Sequence, residues 1–215
     1  MADTRDTILA AAMPIVQARG YNGLSFRELA KVVGIKSASI HYHFPSKADL
    51  GAALVRRYRE YVRDGFRTIS DHLPDLGACL NAYVNGFRQT LENGNRMCLC
   101  GLLGAEYDEL PDPVKDEIEG FVEDNVTWIA GMISASRAVS HENARAHALA
   151  IYAALSGAQL IARSRGDISI FDAVAQSYGT CGLLSDGKGV EGQTGSTGNP
   201  GRRERCTSNA QEHGG

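Results

Sequence analysis

The chain of 215 residues contains no run of about 18 apolar residues, so nothing in it reads as a membrane span. Its opening, MADTRDTILAAAM, puts acids among the first six residues and has no basic stretch ahead of an apolar one. No secretory signal is expected, and the cytoplasm is the expected compartment. Cysteine is scarce and odd in number: Cys79, Cys98, Cys100, Cys181 and Cys206. These spacings fit no disulfide framework, and reduced thiols are expected. No phosphate-binding glycine loop, HExxH or G-x-S-x-G elbow occurs, so an enzyme is not expected, and neither a cofactor nor a metal site is implied. His141 and Glu142 adjoin where a helix should begin, which suits capping better than acid–base chemistry. Alternating strand patterns and internal repeats are also missing.

What is present is helical periodicity in a chain of ordinary globular composition, 43% hydrophobic and 22% charged. The net charge of −3 is unevenly spread. Residues 1–47 hold six Lys/Arg against three acids; subtracting these from totals of 22 and 25 leaves 16 basic and 22 acidic residues beyond. A basic head on an acidic body suits a head that meets phosphate.

The periodicity predicts about nine helices, an all-α fold. The first covers residues 4–19 with Ile8, Leu9, Ala12, Ile15 and Val16 on one face; Pro14 should kink it unless packing holds it, and Gly20 ends it. Ser25 and Glu28 have the spacing of a capping box ahead of a helix over 26–33. Phe26, Leu29, Ala30 and Val33 should face inward there. Gly34 allows a tight turn, Ile35 plugs it, and a short helix over 37–43 is anchored by Ile40 and closed by Phe44. Ser46 should cap a long helix over 47–71, interrupted at Gly65. Further helices are expected over 75–92, 96–108, 113–138, 142–165 and 168–179, with Asp112-Pro113 as a clear start. From 185 onward Gly, Ser, Thr and Asn dominate, and a disordered tail over 185–215 is expected.

Residues 26–50, FRELAKVVGIKSASIHYHFPSKADL, fit two helices that cross steeply, with a small residue at the crossing (Ala30), a glycine corner (Gly34) and an apolar plug (Ile35). Such a crossing lets the second helix enter a major groove about 12 Å wide. Its exposed face would offer Lys36, Ser37, Ser39, His41, Tyr42 and His43, hydrogen-bonding side chains free of acid, as base and phosphate contacts require. An ordinary helical hairpin with a polar surface has the same spacing.

The longer run of features resembles the N-terminal domain of TetR/AcrR-type repressors: an opening helix leading into GYNGLSF, then LA, then GI, then YHFPSK followed by Leu50. The resemblance is tight over residues 5–52 and extends to the rest only as layout. It implies a three-helix helix-turn-helix DNA-binding head (1–46) on a helical-bundle ligand-binding and dimerisation body (47–184). It also implies that Ser39, Tyr42 and His43 face a double-stranded DNA operator, with Lys36 and Ser37 at the start of the reading helix. Lys47 and Arg27 are expected at phosphates, Lys47 with help from the helix N-terminus. The family commonly has Ser or Thr where Lys36 stands and Tyr where His41 stands. Ser37 therefore becomes the expected cap, and His41 is left to bond phosphate or to pack.

A regulated reader needs a second input, and 100-fold coupling requires about 2.7 kcal/mol of differential binding. Tyr83, Phe87, Met97, Cys98, Cys100, Tyr107, Phe121, Trp128, His147 and Tyr152 are candidates to line an apolar pocket for a small effector, or are plain core. On a helix over 96–108, Cys98 and Cys100 would stand about 200° apart, facing opposite sides. Each is a small buried hydrophobe, a redox or electrophile sensor near Arg96, or, least favoured, a metal ligand. The small residues of HENARAHALAIYAALSGAQLIARSR, with FDAVAQSYG after it, suit a four-helix homodimer interface, or else a helix buried within one subunit.

Overall fold

The computed structural model describes residues 3–136 and 140–184; the expected tail over 185–215, Cys206 included, lies outside the described residues. Among the described residues there are nine α-helices, no strand, and two short 3-10 turns. They are α1 (Thr4–Arg19), α2 (Phe26–Val33), α3 (Ser37–His43), α4 (Lys47–His72), α5 (Leu76–Glu92), α6 (Leu99–Gly104), α7 (Asp112–Ser136), α8 (His141–Arg165) and α9 (Ile168–Thr180). The fold is all-α as the periodicity predicts, and no helix among the described residues is long and apolar enough to cross a membrane.

Helices α1 to α3 wrap Ile8, Leu9, Ala12, Val16, Leu29, Ile40 and Phe44, all nearly without exposure. Ile15, Phe26, Val33 and Ile35 are only partly buried at the edge of this core. α1 runs unbroken through Pro14, its inward face held by packing. α4 leaves the head and enters the body, with Leu50, Leu54 and Val55 buried. It is continuous through Gly65, contrary to the expected interruption. A mid-helix glycine costs about 1 kcal/mol, and Phe66 beside it stacks on Trp128 with ring centroids 4.3 Å apart and planes 4° from parallel.

Two arginine turns tie α4 to α7. Arg56 and Arg59 both reach Glu117 (2.6 Å each), while Arg59 and Arg63 grip Asp124 at 3.0 and 2.6 Å. Burial opposes the charge on Arg59, but the hydrogen bonds from Asp124 and Glu117 outweigh it and raise its pKa. The guanidinium occupies the space over Gly120, where a Cβ would lie 2.4 Å from Arg59 Nη1. Losing one member of such a part-buried network leaves the others uncompensated, at a cost of about 3–5 kcal/mol when burial is complete and less here.

The sequence pattern overestimates α6. The helix does not span 96–108; it occupies Leu99–Gly104, followed by a 3-10 turn at Tyr107–Glu109. Gly94 and Asn95 take positive φ (76° and 55°), and the Asn95 amide bonds the Arg163 carbonyl at 3.0 Å, holding the preceding segment in a turn. Cys98 is consequently the N-cap, with φ −46° and ψ 131°. The fully buried Gln159 fixes it: its Oε1 accepts from the Cys98 amide at 2.8 Å, and its Nε2 donates to the Phe87 carbonyl at 2.8 Å and to Thr90 Oγ1. One α8 side chain thus joins α5 to the start of α6.

Candidate nucleic-acid interface and effector cleft

The corner between α2 and α3 is built as the steep crossing requires. Ala30 is buried, and its carbonyl accepts from both Gly34 and Ile35 at 3.0 Å. Gly34 is left-handed (φ 77°, ψ 29°) with open space around its Cα, so backbone conformation rather than crowding calls for glycine. At the start of α2, Ser25 Oγ accepts from the Glu28 amide at 3.4 Å, but the expected reciprocal bond is not formed; the Glu28 carboxylate pairs with Arg19 at 3.5 Å instead. The complete capping box is at α4, between Ser46 and Asp49.

α3 buries Ile40 and turns its other side outward. Tyr42 is 84% exposed, His41 and Lys36 are exposed, and Ser37, Ser39 and His43 are half-buried on the flanks. Tyr42 and His43 meet edge to face at 5.2 Å, and the His41 ring leans on Phe26 at 4.6 Å, so His41 packs while remaining accessible. Lys36 is the N-cap residue and no side chain bonds the first amides of α3; Ser37 does not cap it as expected, because it already lies inside the helix. Arg27 is exposed on α2.

Lys47 stands at the start of α4 with its stem half-buried. Its ammonium lies 4.4 Å over the Tyr21 ring, where desolvation lowers its pKa against the opposing pull of Glu106. Tyr21 in turn marks the joint between head and body. Its amide donates to Glu106 Oε2 at 2.8 Å, and Asn22 donates to Glu109 at 2.7 Å. Gly20 beside it has φ 69°, and a Cβ there would lie 1.8 Å from Glu106 Oε1. Arg57 of α4 adds a 2.8 Å bond to the Asp6 carbonyl.

In the body a cleft of about 730 Å³ lies among α4, α5 and α7, reached also by Gln17 of α1. Of the candidate pocket residues, Tyr83, Phe87, Cys98 and Phe121 form its wall. Met97 and Cys100 are buried outside the wall, and Tyr152 packs behind it at 6.4 Å from both Phe87 and Phe121. Trp128 backs Phe66, while His147 bonds the Leu183 carbonyl at 2.9 Å and Tyr107 bonds Glu119 at 2.6 Å. Tyr58, Tyr61, Val62, Gly65, Phe66 and Ile69 of α4 were missed, although their three- and four-residue spacing marks one helix face. Asn125 is buried and fixes the wall itself: it accepts from the Tyr83 hydroxyl and donates to the Phe121 carbonyl, both at 2.8 Å, while Gln17, Asp64, Asn85, Gln89 and Asn93 bring further polar groups to the lining. Burial raises the pKa of Tyr58, Tyr83 and Tyr152, which keeps these phenols neutral and able to donate.

Cys98 and Cys100 do not face opposite sides. With Cys98 outside the helix, the half-turn that would part the two no longer applies, and the groups acting on its sulfur are the Cys100 thiol, the amides of Gly101 and Cys100, and the Tyr58 hydroxyl. The Cys100 thiol and these donors, against burial, lower the Cys98 pKa to about 7. Burial, and then the bond to Cys98, push Cys100 well up. No third potential metal ligand gathers with them among the described residues.

The sequence profile described as "Bacterial regulatory proteins, tetR family" matches residues 8–54, the head and the start of α4. A transcriptional regulator of the TetR family from Agrobacterium tumefaciens is similar in structure, with a TM-score of 0.75 and 33% identity over 81% of this chain and 94% of that one. A TetR transcriptional regulator from Legionella pneumophila gives a TM-score of 0.79 and 28% identity over 84% and 98%. Among curated proteins, the transcriptional regulator AcuR of Cereibacter sphaeroides is 27% identical over 128 residues, 57% of this chain and only 56% of that protein's length. The match thus runs through head and body alike: this chain belongs to the TetR family of transcriptional regulators.

Proposed function

We propose that the protein is a ligand-responsive repressor of the cytoplasm that binds a near-palindromic operator as a homodimer and is released by a small, mostly apolar effector. The observation that carries the reading is the outward face of α3, where Tyr42 projects between Lys36, Ser39 and His43 with no acid among them. Arg27 adds an exposed cation on the neighbouring helix, while Lys47 reaches phosphate only by leaving Tyr21. Dimerisation is supported by the exposed face of α8. Leu149, Leu160 and Ile161 are each about half exposed, with Ala153 and Gly157 between them. Leu149 and Leu160 are three turns apart on one side. Two copies joined there would present two reading helices to one side of a duplex, about one turn or slightly more apart. The effector reading is supported by the cleft, whose aromatic wall, with polar side chains such as Gln17, Asn85, Gln89 and Asn93 around it, suits a small molecule with an apolar body and a few polar atoms.

Selection of bound duplexes from a random-sequence library tests the whole reading. Two inverted half-sites are expected, with footprints about one turn apart. Replacing Tyr42 and His43 together by Ala should abolish selection while leaving the fold intact; retention of full affinity would remove the reading face from α3.

A second reading, a redox or electrophile sensor, is favoured by one observation: Cys98 lines the cleft with a second thiol beside it. Replacing both cysteines by Ser should abolish the response in that case and leave a reversible ligand response intact.

A further inference from the structure

We propose that Cys98 and Cys100 are an oxidation site at which a hydroperoxide closes an intramolecular disulfide. This inference rests on the thiol-sensor reading and specifies its chemistry.

Two residues apart, the Cα atoms lie within disulfide reach, so side-chain direction decides. Cys98 is extended rather than helical, and Cys100 is the second residue of α6, so the separation of about 200° on a shared helix does not hold, and each thiol is among the groups that shift the other. Access sets the order of reaction. Both are buried, Cys98 at 5% and Cys100 at 2% exposure, but only Cys98 is in the cleft wall. Cys98 is also the sulfur held toward its thiolate by its neighbours.

In the first step the Cys98 thiolate attacks one peroxide oxygen. An S–O bond forms, the O–O bond breaks, and the other oxygen leaves as hydroxide, or as alkoxide from an organic hydroperoxide, and takes up the proton that the Cys98 thiol gave up, leaving a sulfenic acid. In the second step the Cys100 sulfur attacks Cys98. The S–S bond forms, the S–O bond breaks, and the departing oxygen leaves as water with the Cys100 proton. Two electrons from the thiol pair reduce the peroxide. Cys79 is buried on α5, and Cys181, at the end of α9, is exposed, so exposure alone would select Cys181 instead.

The site adjoins the joint to the head. α6 has six residues, about 9 Å of helix. Its far end leads to Glu106, which holds the Tyr21 amide. Closing the ring alters the first turn of α6 and the Cys98 amide bond to Gln159.

The test uses the full chain, treated stepwise with hydrogen peroxide, alkylated and digested with trypsin. Cleavage after Arg96 and Lys115 leaves both cysteines, and no others, in one peptide. That peptide should lose two hydrogens and resist alkylation until reduced. In Cys100→Ser, Cys98 should stop at a sulfenic acid that dimedone traps; in Cys98→Ser, Cys100 should stay reduced. Melting of each variant is followed alongside, and the wild-type peptide mass decides the matter whatever the variants do. Sulfinic acid at Cys98 in the wild type, or a disulfide to Cys181, overturns the proposal. Operator DNA selected by the reduced protein then judges the sensor reading separately: affinity should fall about tenfold on oxidation and return with reductant. A disulfide without that fall sinks the sensor reading alone, and a fall without the disulfide sinks this proposal alone.

Discussion

The carboxylate of Glu106 accepts the backbone amide of Tyr21 at 2.8 Å, so the turn after α6 holds the first turn after α1. An acceptor bearing full charge, partly shielded from water, makes this one of the stronger single bonds between head and body.

Glu106→Ala should destabilise the chain by about 1–2 kcal/mol, because the Tyr21 amide loses a charged partner. Gly20→Ala should cost at least as much, through its positive φ and a Cβ driven into the same carboxylate. Denaturant melts of both variants, singly and combined, check this. Since both act on one contact, the combined loss should be smaller than the sum.

Lys36 and Tyr42 should separate in salt. Lys36→Ala should weaken binding of all duplexes evenly and reduce the slope of log affinity against log salt by about 1. Tyr42→Ala should leave that slope unchanged and reduce the preference for the selected operator, by about 1–3 kcal/mol if it reads a base edge. Titrations at several salt concentrations, on specific and random duplexes, distinguish them.

Alkylation of Cys98 should be half-maximal near pH 7, against roughly pH 8.5 for an ordinary thiol. Cys100→Ala should shift the midpoint upward, since the Cys100 thiol is the largest cause of the depression and alanine offers no donor. The stability linkage has the same sign. A folded pKa below the unfolded one contributes stability that is fully present above about pH 8.5 and is lost as pH falls through about 7. Alkylation rates and melts across pH 6–9 measure both.

Leu149→Arg with Leu160→Glu should convert a dimer into a monomer by sedimentation, with little change in helix content, since both side chains are about half exposed in the single chain. Operator affinity should fall more than tenfold, because each half-site would then be bound alone.

The head was legible almost residue by residue. Ala30, Gly34, Ile40 and Phe44 each carry a local constraint, namely close crossing, positive φ or burial, and the bounds of α1 to α3 follow from these. The reading failed where distant contacts decide. Leu99, Leu102 and Leu103 have helical spacing, yet α6 starts late because Asn95 bonds Arg163 across 68 positions of sequence. Glu28 is three residues from Ser25, but Arg19 attracts its carboxylate. The cleft was half legible: its α5 aromatics were identified, while the α4 face from Tyr58 to Ile69 was not among the candidates, because its spacing equally fits a helix packed within the body.

Gly120 makes the α4–α7 contact depend on the size of a single residue. The room above its Cα is filled by the guanidinium of Arg59, which Glu117 and Asp124 hold in place. Any larger side chain at 120 must evict that cation, whereas a shorter residue at 59 removes the objection. Positions 59 and 120 therefore form a coupled pair, and the penalty for a larger residue at 120 should shrink once residue 59 is shortened.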